Sequence, residues 1–192
     1  MRSPVADLLA DVSAALEAAA IAWYLFGARA AIVHGVARFT ADVDITVRLP
    51  ESTSGAALVS MLERHRFQAR VSDPDFFERT RVIPFAHVPT ALPLDVVLAG
   101  PGLEDRFFER AGIRVIEDVR VPVASAEDVI LMKVLAGRPK DVEDVVAIAA
   151  AHADTLDVRY IRETLRMIEQ ALSQSDLMPI FEQALKRSRS VR

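Results

Sequence analysis

Two aspartates, Asp42 and Asp44, alternate with valine and isoleucine in the segment 39–49. Alternation at every second residue predicts a β-strand and places both carboxylates on one face of it. Two ionised carboxylates this close repel each other unless a cation lies between them. Because Mg²⁺ prefers hard oxygen ligands, the pair is a candidate magnesium site.

A third aspartate, Asp95, lies in the apolar stretch LPLDVVLA. This stretch predicts a buried strand, in which an acid needs a partner. If the strand neighbours the first one, the three acids can hold two Mg²⁺ ions about 3.5–4 Å apart, with Mn²⁺ as an alternative, for a displacement at phosphorus. A plainer interpretation stays open, in which Asp42 and Asp44 face solvent on an edge strand and Asp95 lies at a strand end.

Gly27 separates the apolar run IAWYLF from the helix-favouring residues ARAAIVHG. A glycine between a strand and a helix lets the backbone approach a phosphate closely, and the first N–H groups of the helix can bind an anion. Arg29 and Arg38 can add charged hydrogen bonds to the same phosphates. The glycine turn is a weak signal alone, but an Asp-x-Asp strand after it favours a phosphate site.

The surrounding residues predict the elements that position these side chains. Residues 1–22 have the spacing of an amphipathic helix, and SAED at residue 125 has the features of a helix start. We expect an α+β protein with a sheet domain, residues 1–120, and a helical C-terminal part, residues 121–192. Strands are predicted at 21–26, 39–49, 67–71, 81–88 and 92–98, with one or two more within 113–123. Helices are predicted at 28–34 and 52–66, and a turn at 73–75. After residue 125 we expect a helix that ends at Gly137 and three more at 141–153, 157–172 and 178–186.

Composition limits the class of protein. The chain has 192 residues, of which 52% are hydrophobic, enough for a core of its own. It has no cysteine, which excludes disulfides and thiolate metal sites and makes a reducing cytoplasm the expected location. The first residues contain neither a basic leader nor a long apolar run, so we expect no membrane association. With a net charge of −4, a nucleic acid would have to bind to a local basic patch.

The stretch GARAAIVHGVARFTADVDITV, with Asp95 in a later strand, resembles the nucleotidyltransferase superfamily, which has a Gly-Gly or Gly-Ser loop, an Asp-x-Asp/Glu strand and a third acid. Within it, the chain is most similar to AbiEii-type toxin nucleotidyltransferases. In that group HG-x-x-R-x-T precedes D-[VIL]-D, and a helical lysine precedes Arg-x-[KR]-Asp-x-x-Asp. Lys133 and residues 138–144 match the second part. The resemblance spans residues 22–150.

The resemblance implies a mixed sheet flanked by helices, with a helical C-terminal part that completes the active-site cleft. It implies Mg²⁺-dependent transfer of a nucleoside monophosphate from an NTP to an acceptor hydroxyl, in which Lys133 reaches the nucleotide phosphates and Asp141 supports the site. The implied metal ligands are Asp42, Asp44 and Asp95, and the implied nucleotide contacts are Gly27, Ala28, Arg29, Arg38, Thr40 and Lys133. From residue type alone, Lys133 could equally extend to solvent and Asp141 could cap its helix, while Asp144 is expected to pair with Lys140 or Arg138.

The family further implies a toxin of a toxin–antitoxin pair, with tRNA 3′ ends as acceptor and an antitoxin protein as partner. Two alternatives stay open. The acceptor is a small molecule, as in aminoglycoside nucleotidyltransferases, or a protein side chain. In the second alternative, the protein is a regulator that binds nucleotide and has weak or no catalytic activity. Ala28 favours this alternative, because the family commonly has Gly or Ser at that position and a serine hydroxyl would contact phosphate.

Overall fold

The computed structural model describes residues 2–71 and 73–190. Within them the chain forms a seven-stranded mixed sheet and nine helices, which confirms the expected α+β fold class. In chain order the elements are α1 (Pro4–Ala18), β1 (Ala22–Phe26), α2 (Gly27–Val33), β2 (Val43–Arg48), α3 (Gly55–Glu63), β3 (Phe67–Ala69), α4 (Pro74–Thr80), β4 (Val82–His87), β5 (Pro93–Leu98), α5 (Leu103–Arg110), β6 (Gly112–Ile116), β7 (Val119–Val123), α6 (Ala126–Ala136), α7 (Pro139–Ala151), α8 (Val158–Leu172) and α9 (Leu177–Ser188).

Contacts between residues group the chain into two units. The first contains the chain up to Arg29 together with Thr40–Ala124, and it includes all seven strands with α1, α3, α4 and α5. The second contains Ala30–Phe39 and the chain from Ser125 onward, with α6 to α9. Among the described residues, no helix is both long and apolar enough to span a lipid bilayer.

The sheet of the first unit has the strand order β3-β4-β5-β2-β1-β7-β6. Its interior strand β2 pairs antiparallel with β1 and parallel with β5. The predicted neighbourhood of the strands that carry Asp44 and Asp95 is therefore confirmed, and the interpretation of β2 as an edge strand is excluded.

One face of this sheet forms the core of the first unit. The alternate residues Val43, Ile45 and Val47 of β2 are fully buried. Helix α1, which begins after the capping hydroxyl of Ser3, packs against β1, β7 and α3 through its buried leucines and valine. Because side chains alternate along a strand, burial of this face directs Asp44 to the opposite one.

The second unit is a helical core. Helix α6 begins where the sequence predicted, since the Ser125 hydroxyl accepts the Asp128 N–H at 3.1 Å. It ends at Gly137, which has a φ of 62°. Helices α7, α8 and α9 then pack around it, and their buried side chains include Val145, Leu165 and Phe181.

Two short helices differ from the sequence expectations. The predicted turn at 73–75 lies at the start of α4, because a proline in the first helical turn favours a helix start as well as a turn. Helix α5 was not predicted, because it is only eight residues long and Phe107 is its one buried residue, which makes the apolar signal short. Its start is held by Asp105, whose carboxylate accepts the Gly102 N–H at 2.9 Å.

Candidate active site

Asp44 and Asp95 lie side by side across the pairing of β2 with β5. Neighbouring strands are about 4.8 Å apart, so the two half-buried carboxylates share one row of the sheet. Oδ1 of Asp95 is buried and has no hydrogen-bond partner among the described residues. A buried acceptor without a partner is unfavourable, so this oxygen is suited to bind a cation or a donor.

Asp42 lies one residue before β2 and is exposed, whereas the sequence predicted that the strand would include it. Its N–H donates to the hydroxyl of the buried Thr40 at 3.2 Å. The Thr40 carbonyl in turn accepts a hydrogen bond from the Arg29 guanidinium. Arg29 and Thr40 therefore hold the loop that carries Asp42.

The charges around these acids act on one another. Burial raises the pKa of Asp95, the positive charge of Arg70 opposes this, and the negative charge of Asp42 raises it again. Burial lowers the pKa of Arg29, while the charge of Asp42 acts in the opposite direction. The two carboxylates thus belong to one electrostatic group even though Asp42 lies outside the strand.

Gly27 packs directly against Asp44. Its φ is +67°, and a Cβ built on it would lie 2.8 Å from Cγ and 3.0 Å from Cβ of Asp44. A side chain at this position would push the carboxylate aside. The glycine is therefore needed for the position of Asp44, a reason that the sequence pattern did not reveal.

The donor set is compatible with Mg²⁺ bound by two carboxylates. The described residues contain no group of three or more His, Asp or Glu side chains that could hold a metal ion, so Asp42, Asp44 and Asp95 do not form a closed triad there. Mg²⁺ usually has one or two carboxylate ligands and completes its shell with water and substrate phosphates. Asp44 and the Asp95 oxygen that has no partner among the described residues fit that pattern.

Lys133 and Asp141 form a buried ion pair in the second unit. The Lys133 amine is 2.9 Å from Asp141 Oδ1 and 2.7 Å from Asp144 Oδ2, and the residue is 6% exposed. It therefore does not extend to solvent. Burial alone would raise the pKa of Asp141, but hydrogen bonds from Arg138 and Lys133 lower it.

Arg38 also belongs to this cluster, since its Nη1 donates to Asp144 Oδ2 at 2.8 Å. The expected partners of Asp144 were Lys140 or Arg138, yet the structure pairs it with Lys133 and Arg38. Burial explains the difference: Asp144 is buried and needs cations that approach it inside the unit, whereas Lys140 is exposed.

One charged residue near the acids was missed by sequence reasoning. Arg70 follows β3 and is the cation that acts on Asp95. The segment 67–71 gave one local signal, the alternation that puts Arg70 on the exposed face with Gln68. Its relation to Asp95 depends on the pairing of three strands, which no local pattern reveals.

Several solved structures have a similar fold. The solution structure of the antibiotic-resistance factor ANT(2'')-Ia is similar, with a TM-score of 0.62 and 17% identity over 90% of this chain and 97% of that chain. The crystal structure of ANT(2'')-Ia in complex with adenylyl-2''-tobramycin has a TM-score of 0.60 and 16% identity, covering 86% and 98%. The crystal structure of an antigenic nucleotidyltransferase-like protein from Paracoccidioides brasiliensis has a TM-score of 0.58 and 16% identity, over 95% of this chain and 92% of that chain.

Sequence comparison identifies the family. No curated protein sequence matches the chain. A family profile, described as nucleotidyltransferase of unknown function (DUF6036), matches residues 7–189. This match covers most of both units and every candidate residue discussed above. The chain therefore belongs to the DUF6036 family of nucleotidyltransferases.

Proposed function

We propose that this protein is an Mg²⁺-dependent enzyme that transfers a nucleoside monophosphate from an NTP to an acceptor hydroxyl and releases pyrophosphate. The observation that carries the proposal is the pair Asp44 and Asp95 in one row of the sheet, with a buried oxygen of Asp95 that has no partner in the described chain. Membership of a nucleotidyltransferase family supports the reaction class.

In the proposed reaction the acceptor oxygen forms a bond to the α-phosphorus of the NTP. The bond from that phosphorus to the oxygen shared with the β-phosphorus breaks, and this oxygen leaves with the electron pair as part of pyrophosphate. Asp95 takes the proton of the acceptor hydroxyl. Mg²⁺ held by Asp44 and Asp95 would offset the charge of the phosphates and make the hydroxyl more acidic. Asp42 adds a third negative charge beside the same site.

Nucleotide binding by the residues from Gly27 to Thr40 is part of the proposal, with roles that the contacts refine. Gly27 acts by leaving room for Asp44, and Arg29 and Thr40 act by holding the loop of Asp42. Ala28 offers a backbone N–H but no hydroxyl, so we expect weaker phosphate binding than a serine would give. A variant Ala28→Ser is therefore expected to bind NTP more tightly, measured by calorimetry.

The resemblance assigns Lys133 to the nucleotide phosphates and Asp141 to its support. The ion pairs within the second unit favour the supporting role for Asp141, because its carboxylate accepts from Lys133. Lys133 and Arg38 both contact Oδ2 of Asp144, which places two cations beside one carboxylate oxygen in this cluster. We keep Lys133 and Arg38 as proposed phosphate contacts on this ground.

Two acceptor classes follow from different observations. The AbiEii-type motifs favour tRNA 3′ ends and a toxin that is paired with an antitoxin protein. The likeness to ANT(2'')-Ia, whose crystal structure is a complex with adenylyl-2''-tobramycin, favours a hydroxyl of a small molecule. Incubation with total tRNA and with a panel of aminoglycosides, each with α-labelled NTPs and Mg²⁺, separates the two by which acceptor becomes labelled.

The test of the reaction itself compares wild type with Asp44→Asn and Asp95→Asn, which remove charge and keep shape. We expect pyrophosphate release and acceptor labelling by wild type and a loss of at least 100-fold in both variants. Asp105→Asn is the matched control, because Asp105 is an exposed acid of the same unit that pairs with Arg48 at 2.8 Å. The proposal fails if wild type labels no acceptor, or if the two variants retain the wild-type rate.

The regulator hypothesis makes a different prediction for the same samples. A regulator would bind NTP without Mg²⁺ and would release no pyrophosphate with any acceptor. Asp44→Asn would then leave NTP affinity unchanged or raise it, because it removes a negative charge that no metal offsets. Calorimetry with and without Mg²⁺ measures this directly.

A further inference from the structure

Arg70 lies in the same row of the sheet as the two candidate metal ligands. Strand β3 ends at Ala69, and the N–H of Arg70 then donates to the Pro84 carbonyl at 2.8 Å, which continues the antiparallel register by one residue. Pro84 pairs with Asp95, and Asp95 pairs with Asp44. Along this row, Arg70 therefore lies beyond Asp95, on the side away from Asp44.

This side of Asp95 belongs to the acceptor in the proposed reaction. Asp95 takes the proton of the acceptor hydroxyl, whereas the triphosphate is held by the residues after β1, and β1 lies on the other side of β2. In an in-line displacement, the attacking oxygen and the leaving pyrophosphate lie on opposite sides of the α-phosphorus. The rest of the acceptor therefore extends from Asp95 towards β4 and β3.

The strands between Asp95 and this edge of the sheet carry little charge on the face of Asp95. Asp95 faces away from the core, because its neighbours Leu94 and Val96 are buried, and the pairing of the strands puts Arg70 on the same face. The other strand residues on this face are Gln68, Val82, Pro84, Ala86, Pro93 and Val97. Within this described set, Asp95 is the one acid and Arg70 the one cation. An acceptor that extends towards β3 therefore next meets a positive charge.

The guanidinium of Arg70 is exposed and has no competing partner among the described residues. It takes part in no hydrogen bond or ion pair there, and its electrostatic contact is with Asp95. The neighbouring cation Arg66 differs, because it is 3.3 Å from Asp11. Two strand spacings, about 10 Å, separate the backbones of Arg70 and Asp95, so the long side chain of Arg70 can reach a group bound beside Asp95.

We propose that Arg70 binds a phosphate group of the acceptor. The acceptor is then an anionic molecule in which a phosphate lies close to the reacting hydroxyl, as at the 3′ end of a nucleic acid or in a phosphorylated sugar. The inference rests on the proposed function, because it names the acceptor class of the same site. The planar guanidinium donates two parallel hydrogen bonds to phosphate oxygens. A polycationic aminoglycoside has the wrong charge for this position, because its ammonium groups would be repelled by Arg70.

The experiment compares acceptors that differ by one phosphate, each with α-labelled NTP and Mg²⁺. Adenosine and the dinucleotide CpA represent a nucleic-acid end without and with its phosphate. Glucose and glucose 6-phosphate represent a small molecule in the same two states, and tobramycin represents a polycation. We expect wild type to label a phosphate-bearing acceptor more efficiently than its neutral counterpart and more efficiently than tobramycin. Labelling of CpA or of glucose 6-phosphate then identifies the source of the phosphate.

Variants at residue 70 test whether this preference depends on the guanidinium. Arg70→Gln should lower kcat/KM for the phosphate-bearing acceptor about 10- to 100-fold more than for its neutral counterpart. The KM for NTP should not rise to a comparable extent, because the triphosphate lies on the other side of Asp44. Arg70→Lys should recover part of the preference, since it keeps the charge and loses the paired geometry. Arg64→Gln is the matched control, because Arg64 is an exposed arginine at the end of α3, outside the row.

Three results would overturn the inference and leave the transferase reaction standing. Wild type could prefer tobramycin to every phosphate-bearing acceptor, Arg70→Gln could keep the wild-type preference, or it could lose activity equally towards both members of a pair. If wild type transfers to no acceptor, the proposed function fails, and calorimetric binding of CpA and of glucose 6-phosphate tests Arg70 by itself. Weaker binding of either ligand by Arg70→Gln than by Arg64→Gln supports the inference, and equal binding of both overturns it. Thermal unfolding of each variant confirms that it is folded.

Discussion

Replacing Gly27 by alanine should disturb the candidate site through one atom. The new Cβ would lie 2.8 Å from Cγ of Asp44, closer than unbonded carbons approach, at a residue with a φ of +67°. Gly137 provides the matched control, because its φ is +62° and a Cβ there would meet its nearest atom, the Val134 carbonyl oxygen, at an ordinary 3.7 Å. The two substitutions share the conformational penalty and differ in the contact with Asp44.

The magnitudes follow from these two contributions. A left-handed conformation costs an alanine about 1–2 kcal/mol relative to glycine, so Gly137→Ala should lower the free energy of unfolding by about that amount. Crowding a packed site adds about 1–3 kcal/mol, so Gly27→Ala should lose about 2–5 kcal/mol in all. Since domains of this kind have a total stability of about 5–15 kcal/mol, the variant should remain folded in the absence of denaturant.

A double-mutant cycle isolates the contact. In the Asp44→Ala background the carboxylate is gone, but the Cβ of residue 44 still lies 3.0 Å from the new Cβ, so Gly27→Ala should cost less than in the wild-type background and more than Gly137→Ala. Urea unfolding of the four proteins should give a coupling energy of about 1–3 kcal/mol. A cost for Gly27→Ala equal to that of Gly137→Ala, or a coupling below about 0.5 kcal/mol, would refute the packing of Asp44 on Gly27.

Two further substitutions test the second unit. Asp141→Asn should lower the free energy of unfolding by about 1.5–3 kcal/mol, because it weakens the charged hydrogen bonds from Lys133 and Arg138 while Lys133 keeps Asp144 as a counter-ion. Although burial acts in the opposite direction, hydrogen bonds from Arg138 and Lys133 lower the pKa of Asp141. The contribution of Asp141 to stability is therefore complete above the pKa of this group in the unfolded chain, near 4, and is lost as the pH falls through its lower pKa in the folded protein. Over this acidic range Asp141→Asn should lose less stability than the wild type. Tyr160→Phe should cost about 1.5–3 kcal/mol, because it removes the hydroxyl that donates to the buried Asp128 at 2.8 Å.

Urea unfolding at several pH values measures these effects. Glu143→Gln is the control for Asp141→Asn, because Glu143 is an exposed acid of the same helix that pairs with Arg187 at 2.7 Å. Glu143→Gln should change the free energy of unfolding by less than about 1 kcal/mol. Equal losses in Asp141→Asn and Glu143→Gln would contradict the argument from burial. For the second, a Tyr160→Phe protein with wild-type stability would show that the hydroxyl contributes no net energy.

The neighbourhood of the acids could be predicted from sequence, whereas their register could not. Alternation around Asp44 and the apolar run around Asp95 are local patterns, and they identified two strands that proved to be adjacent. The alignment of Asp44 with Asp95 depends on how two strands far apart in the chain pair. Arg70 depends on two more pairings, those of β3 with β4 and of β4 with β5.

The ion pairs of the second unit show a related limit. Helical spacing favoured Lys140 or Arg138 as the partner of Asp144, because residues three or four apart lie on one side of a helix. That rule describes exposed helix surfaces. Asp144 is buried, so its partners are cations that come from elsewhere in the chain, Lys133 in α6 and Arg38 after α2. The burial of Asp144, which the sequence pattern indicates only coarsely, therefore determines its partners.

The geometry of the candidate site is set by core packing, because β2 is fixed from both of its edges and from one of its faces. A slip of one residue in its pairing would turn Asp44 into the core and an apolar side chain outward. The buried Val43 and Ile45 oppose such a slip, and the close approach of Asp44 to Gly27 holds the carboxylate from the side of β1. The acids are thus brought together by the hydrophobic face of the sheet, at the cost of a buried oxygen on Asp95 with no partner in the described chain. Core packing therefore holds two like charges in one row although they repel each other. This arrangement is expected where the two carboxylates bind a cation and do not stabilise the fold by themselves.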